Sequence, residues 1–325
     1  MSSQSLPQKK ALIIGVSGQD GAYLSKLLLG KNYEIYGTSR DVTRVDFSGL
    51  KYLNIDGEVN KVSMCPANFN DVFTTISKVM PDEIYNLSGQ SSVGLSFQQP
   101  VEAFQSIATG TLNILEAMRV LQENIKFYNA GSGEVFGDTS GFSADENTRF
   151  NPCSPYSVAK AAAAWQVSCY RSAYNIYAAT GILFNHESSL RPGSYVTKKI
   201  VEGARQISLG SSERLVLGNI RISRDWGYAE DYVEAMWRML QLDTAQDFVI
   251  ATGRTVTLED FLNQAFISVG LDWRNHVCFD ESLFRPAEIS YSAANPTKAK
   301  ELLGWSAKTD LEGLVKKLFD CPVIN

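Results

Sequence analysis

Tyr156 and Lys160, four residues apart in the run SPYSVAK, carry the first chemical signal in this 325-residue chain. Ser154 and Pro155 suit a helix cap and a first-turn position, so both side chains project from one face of the helix that follows. An ammonium beside a phenol favours the phenolate and draws its pKa down from about 10, which makes a tyrosine usable as a general base near neutral pH. Alone the spacing is common and describes a packed ring beside a solvated lysine. The second signal is AGSGEVFG, residues 130–137, where Ser132 and Glu134 follow the apolar run IKFYNA. A carboxylate at the buried end of a strand carries a desolvation cost that a structural role seldom offsets, so Glu134 is expected to handle a proton rather than cap a turn.

A glycine-rich run opens the chain's first strand-to-helix junction. Gly15, Ser17, Gly18, Gln19, Asp20 and Gly21 lie in the order Gly-x-x-Gly-x-x-Gly, which begins at the end of the run KALIIGV. Glycines there let backbone amides and a helix dipole approach a pyrophosphate. With Tyr156 and Lys160 this predicts a dinucleotide site. The second strand ends in GTSRD, with Arg40 where an acidic residue would bind the ribose of NAD; the basic residue suits the 2′-phosphate of NADP, so NADP is expected over NAD. The ordinary alternative is a surface pair between Arg40 and Asp41.

The elements that must hold these groups can be read from periodicity. Apolar runs at 10–16, 33–38, 61–65, 83–87, 125–130 and 177–184 alternate with helical segments at 20–30, 70–79, 100–122 and 154–174. This is the rhythm of an α/β fold built on a doubly wound parallel sheet, a Rossmann fold. NHESSLRPGS, after Phe184, reads as a polar loop and boundary. Beyond it, helices near 196–209, 229–242, 257–269 and 296–303 and strands near 214–217 and 247–251 predict a smaller C-terminal α/β substrate-binding domain. The expected division is a dinucleotide-binding domain at 1–184 with a return segment near 225–255, and a nucleotide-sugar-binding domain at 185–224 and 256–325.

Composition narrows the partners. A hydrophobic fraction of 44% and a net charge of −5 describe a globular chain with no nucleic-acid surface. Five scattered cysteines read as reduced thiols, and two histidines without ligand spacing argue against a metal centre. The N-terminus lacks a signal-peptide core, and no apolar run reaches the roughly 18 residues of a membrane span, so a cytoplasmic protein is expected.

Taken together, these residues resemble the extended short-chain dehydrogenase/reductases. Within that group GILFNHES, LGN, RDWGYAEDYV, RPAE and NPTKAKELLGW are similar, in order, to segments of the GDP-mannose 4,6-dehydratases. The resemblance covers nearly the whole chain. It implies that Ser132 hydrogen-bonds the sugar hydroxyl that Tyr156 deprotonates, and that Glu134 removes a proton beside a transient ketone. It further implies that Asn185, Val196, Lys199, Arg224, Arg285 and Glu288 contact a nucleotide-diphosphate sugar, with Ser91 and Ser92 lining the sugar pocket. The implied activity is dehydration of a GDP-hexose, either GDP-mannose or a GDP-manno-heptose, by a homodimer or homotetramer; the rivals are a reductase, 4-oxidase or epimerase of the same family and a non-catalytic scaffold. Gly133 departs from the family's Ser or Asp before the glutamate, which leaves the acid for the departing hydroxyl unassigned.

Overall fold

The computed structural model describes residues 8–284 and 286–320. Twelve strands run in chain order: β1 Lys10–Ile14, β2 Glu34–Ser39, β3 Val59–Ser63, β4 Glu83–Asn86, β5 Lys126–Ala130, β6 Ala178–Leu183, β7 Asn185–Glu187, β8 Leu215–Leu217, β9 Ser223–Tyr228, β10 Phe248–Ile250, β11 Thr255–Thr257 and β12 Val277–Phe279. The helices are α1 Gln19–Gly30, α2 Ser48–Tyr52, α3 Phe69–Val79, α4 Val93–Gln98, α5 Pro100–Phe104, α6 Gly110–Leu121, α7 Pro155–Tyr174, α8 Val196–Ser208, α9 Ala229–Leu240, α10 Leu258–Ile267, α11 Thr297–Leu303 and α12 Leu311–Phe319.

Seven strands pair in the order β10-β6-β5-β4-β1-β2-β3, all parallel. Strands covered on both faces read as continuous apolar runs, and Ala11 through Ile14 are fully buried for that reason. One face packs against α1 and α9 through Leu24, Leu28, Val233 and Met236; the other packs against α3 and α6 through Val72, Ile76, Ile114 and Leu115. Connections from β1 run one way to β2 and β3, whereas β4, β5 and β6 lie on the other side. The crevice between β1 and β4 is therefore the topological switch point, where such sheets bind ligands. A second core gathers Ile200, Val201, Phe261, Leu262, Leu314 and Val315 from α8, α10 and α12.

Two sequence expectations change. The segment 100–122 is not one regular helix: a π turn at Gln105–Thr109 joins α5 to α6. The polar loop predicted after Phe184 begins instead as β7, paired in parallel with β9. Its polar residues are buried because partners outside it satisfy them: Thr197 Oγ1 donates to Glu187 at 2.8 Å and Ser188 Oγ to Gln19 at 2.7 Å.

Candidate active site

Strand β5 delivers Ser132 and Glu134 to the carboxyl end of the sheet. Ser132 stays extended and caps a 3₁₀ turn over Gly133–Phe136, accepting the Glu134 amide at 3.3 Å. Across the crevice, Ser154 and Ser157 form a reciprocal capping box at the start of α7, with Pro155 in its first turn. The cap fixes the helix start, and Tyr156 and Lys160 both lie on its buried face. Ser132, Glu134, Tyr156 and Lys160 line one cavity of about 390 Å³, together with Ser91, Ser92, Asp20, Asn185, Val196, Lys199 and Arg224. Glu288 does not line it but pairs with Arg224 at 3.4 Å, and Arg285 lies outside the described residues.

The electrostatics correct one expectation. Burial pushes the Tyr156 phenol well above its ordinary value, beyond what a hydrogen bond with Ser132 and the positive charge of Arg191 draw back. Lys160 has its own buried partner. Its ammonium donates to the Ala130 carbonyl at 2.7 Å and stands 5.8 Å from the Tyr156 ring centroid, and burial draws its own pKa down to about 8. A buried ammonium whose nearest acceptor is a carbonyl satisfies that hydrogen bond first.

A buried charge pair joins the glycine loop to β7. His186 Nδ1 lies 2.8 Å from the Phe184 carbonyl and Nε2 lies 2.9 Å from Asp20 Oδ2. A backbone carbonyl and an ionised carboxylate only accept, so the geometry suits a ring protonated on both nitrogens. Burial alone would lower its pKa, but the charge and hydrogen bond of Asp20 outweigh that and raise it. Burial would likewise raise Asp20, and His186 and Gln19 hold it below its usual value instead.

On the far side of Ser88 a second cavity of about 530 Å³ is lined by Gly15, Ser17, Ser39, Arg40, Asp41 and Arg44. Gly15 has φ +90°, and a Cβ there would stand 3.1 Å from the Leu87 and Ser88 backbone; at Gly21 it would stand 2.6 Å from the Gly15 carbonyl. Only glycines let loop, helix and β4 approach this closely. Gly18 continues the same turn, its amide donating to the Gly15 carbonyl at 3.1 Å. Gln19, expected at the cofactor, turns inward, donating to Asp20 and the His186 carbonyl. Arg40 pairs with Glu102 at 3.0 Å rather than with Asp41, whose partner is Arg44 at 3.2 Å. The crevice, glycine cradle and paired arginines fit a dinucleotide.

The profile of the GDP-mannose 4,6 dehydratase family matches residues 12–318. GDP-mannose 4,6 dehydratase 1 of Arabidopsis thaliana is 43% identical, over 97% of this chain and 90% of its own. The chain belongs to the GDP-mannose 4,6-dehydratase family. The human GDP-mannose 4,6 dehydratase is 36% identical over 98% of this chain and 92% of its own. In fold, the dTDP-glucose 4,6-dehydratase of Bacillus anthracis, solved with NAD, superposes with a TM-score of 0.84 at 18% identity, covering 96% of each chain.

In this dehydratase-family member the cavity residues that escaped the sequence reading include His186, Glu187, Arg191 and Tyr195. All lie within or just beyond the predicted loop. Arg191 pairs with Glu187 at 3.2 Å and its guanidinium lies 3.8 Å over the Tyr195 ring, while the Tyr195 hydroxyl is 2.7 Å from Ser91 Oγ. Nothing in composition marked them, since the stretch 185–195 is no richer in charged or aromatic residues than the rest of the chain and reads as a polar loop. Among the described residues no helix is long and apolar enough to cross a membrane, and no cluster of acidic, His or Cys side chains could hold a metal ion.

Proposed function

We propose that the protein converts a GDP-hexose, GDP-mannose or a GDP-manno-heptose, into the 4-keto-6-deoxy sugar with a retained NADP. The reading is carried by the meeting of a phenol, a hydroxyl and a carboxylate in one cavity whose other walls bear Asn185, Lys199 and Arg224. NADP would accept hydride from carbon 4 and return it to carbon 6; Gly15, Ser17, Gly18, Asp20 and Gly21 would hold it, with Arg40 and Arg44 at a 2′-phosphate. Tyr156 takes the proton of the carbon 4 hydroxyl, which Ser132 orients. The ketone acidifies carbon 5, and Glu134 removes that proton as the carbon 6 hydroxyl leaves. Lys199 and Arg224 suit the diphosphate, and Glu288 suits hydroxyl or base donors.

Incubation of the purified protein with GDP-mannose and GDP-manno-heptose, without added cofactor, should yield a product lighter by one water. Net consumption of NADPH without loss of water would replace this reading with a reductase. The division into a cofactor unit at 1–184 with a return near 225–255 and a sugar unit at 185–224 and 256–325 is supported by β10 joining the large sheet while α8, α10 and α12 build their own core. Exposed Val101, Phe104, Val158 and Trp165 on neighbouring α5 and α7 support a homodimer or homotetramer packed through that face, which native mass spectrometry would test.

A further inference from the structure

Dehydration at carbon 6 needs a second proton transfer, to the departing hydroxyl. This inference rests on the function proposed above. The turn that carries Glu134 has no further donor: residue 133 is glycine, and a Cβ there would stand 3.0 Å from the Phe184 ring. Several other donors of the cavity are committed. His186 is held between Phe184 and Asp20, Lys160 by the Ala130 carbonyl and Thr197 by Glu187. Tyr195 is differently placed. Its hydroxyl pairs with Ser91 at 2.7 Å across the cavity, and its ring lies under the Arg191 guanidinium at 3.8 Å. Tyr195 and Tyr156 line the same cavity.

We propose that Tyr195 is the general acid of the elimination, with Ser91 as its link to solvent. When Ser91 donates to the phenolic oxygen, the phenolic proton is left for the substrate. Glu134 takes the carbon 5 proton, and the C–H electron pair forms the carbon 5–carbon 6 double bond. The bond from carbon 6 to oxygen breaks, and that oxygen leaves as water with the proton of Tyr195. No atom is oxidised or reduced in this step. The phenolate is stabilised by the Ser91 hydroxyl and the Arg191 charge until a proton returns through Ser91, whose side chain is exposed.

The test compares GDP-mannose with its 6-deoxy-6-fluoro analogue, because fluoride departs without needing a proton. Tyr195→Phe should slow water loss from GDP-mannose about 100-fold, within the usual range for a general acid, and leave fluoride release at the parent rate. Solvent deuterium should still enter carbon 5 of the slow substrate, because Glu134 is intact. Ser91→Ala, a smaller change in an exposed residue, should show the same selectivity with a smaller loss. Unchanged turnover of GDP-mannose in Tyr195→Phe, or an equal loss with both substrates, would overturn the assignment while leaving the proposed function standing. Failure of the parent protein to release water from any GDP-hexose would overturn both.

Discussion

The buried pair between Asp20 and His186 makes a prediction with a defined slope. His186 has its pKa raised in the fold, so its contribution is fully present below the unfolded value of about 6.5 and is lost as pH rises through the folded value. Asp20 is lowered, so its contribution is present above about 3.9 and lost only as pH falls through the folded value. Between pH 6.5 and the raised His186 pKa the folded state holds one more proton than the unfolded chain, and stability falls by about 1.4 kcal/mol per pH unit. Asp20→Asn removes that slope, since its amide can donate to Nε2 of a neutral ring while Nδ1 still donates to the Phe184 carbonyl. Asp20→Ala has no such rescue; burial is then no longer outweighed and lowers the His186 pKa, so the ring is neutral at pH 6 with Nε2 unpaired, at about 1–3 kcal/mol. Urea unfolding of the cofactor-free protein at half-unit steps from pH 5.5 to 9, with the variants in parallel, measures both quantities. Nitrogen-15 spectra of the imidazole at pH 7 supply an independent reading, with two protonated ring nitrogens expected. A neutral tautomer there, or a flat difference between the parent and Asp20→Asn across the alkaline arm, refutes the assignment of charge.

Three other perturbations follow from the same site. Glu134→Gln should stop elimination while sparing substrate binding, and carbon 5 should cease to exchange with solvent deuterium; persistent exchange would remove Glu134 from that role. Lys160, with a folded pKa of about 8 against 10.5, binds fewer protons folded than unfolded, so stability should rise between pH 8 and 10.5 by roughly 3 kcal/mol at most. Lys160→Met should abolish that rise in alkaline denaturation curves, and a rise of equal size in the variant would place the depressed lysine elsewhere. Arg40→Ala with Arg44→Ala should weaken NADP about tenfold or more and leave NAD nearly unchanged, measured on protein stripped of cofactor; equal losses for both would mean that neither arginine meets a 2′-phosphate.

The parts legible in the sequence were those with a strict local pattern. Strands β1, β4, β5 and β6 announced themselves because burial on both faces demands apolar runs, whereas the edge strand β3, half exposed, lies at Val59–Ser63 and not at 61–65; Gly15 and Gly21 stand where a side chain would strike backbone. The caps of α7 were equally plain, since Ser154 and Pro155 act within one turn. The stretch from Asn185 to Tyr195 failed for the opposite reason. Its polar residues look like a solvated loop until their partners are known, and those partners lie far along the chain: Asp20 for His186 and Ser91 for Tyr195. The electrostatic error at Tyr156 has the same origin. Helical spacing places Lys160 on the right face, but whether its ammonium reaches the phenol depends on the Ala130 carbonyl, contributed by another strand.

The raised Tyr156 phenol exposes a conflict that the site must resolve. Excluding water protects a reactive ketone and strengthens every hydrogen bond around it, yet the same exclusion opposes formation of a phenolate. Positive charge and hydrogen bonds aimed at the phenol oxygen are the available remedies, and among this chain's own side chains Ser132 and Arg191 supply them. Arg191 also lies over Tyr195 and pairs with Glu187, so one guanidinium acts on both phenols. Arg191→Met should move the alkaline-side dependence of turnover to higher pH, because Tyr156 would lose a proton less readily. An unshifted pH profile with a merely lowered rate would assign Arg191 to packing under Tyr195 and leave Ser132 as the chain's principal aid to the base.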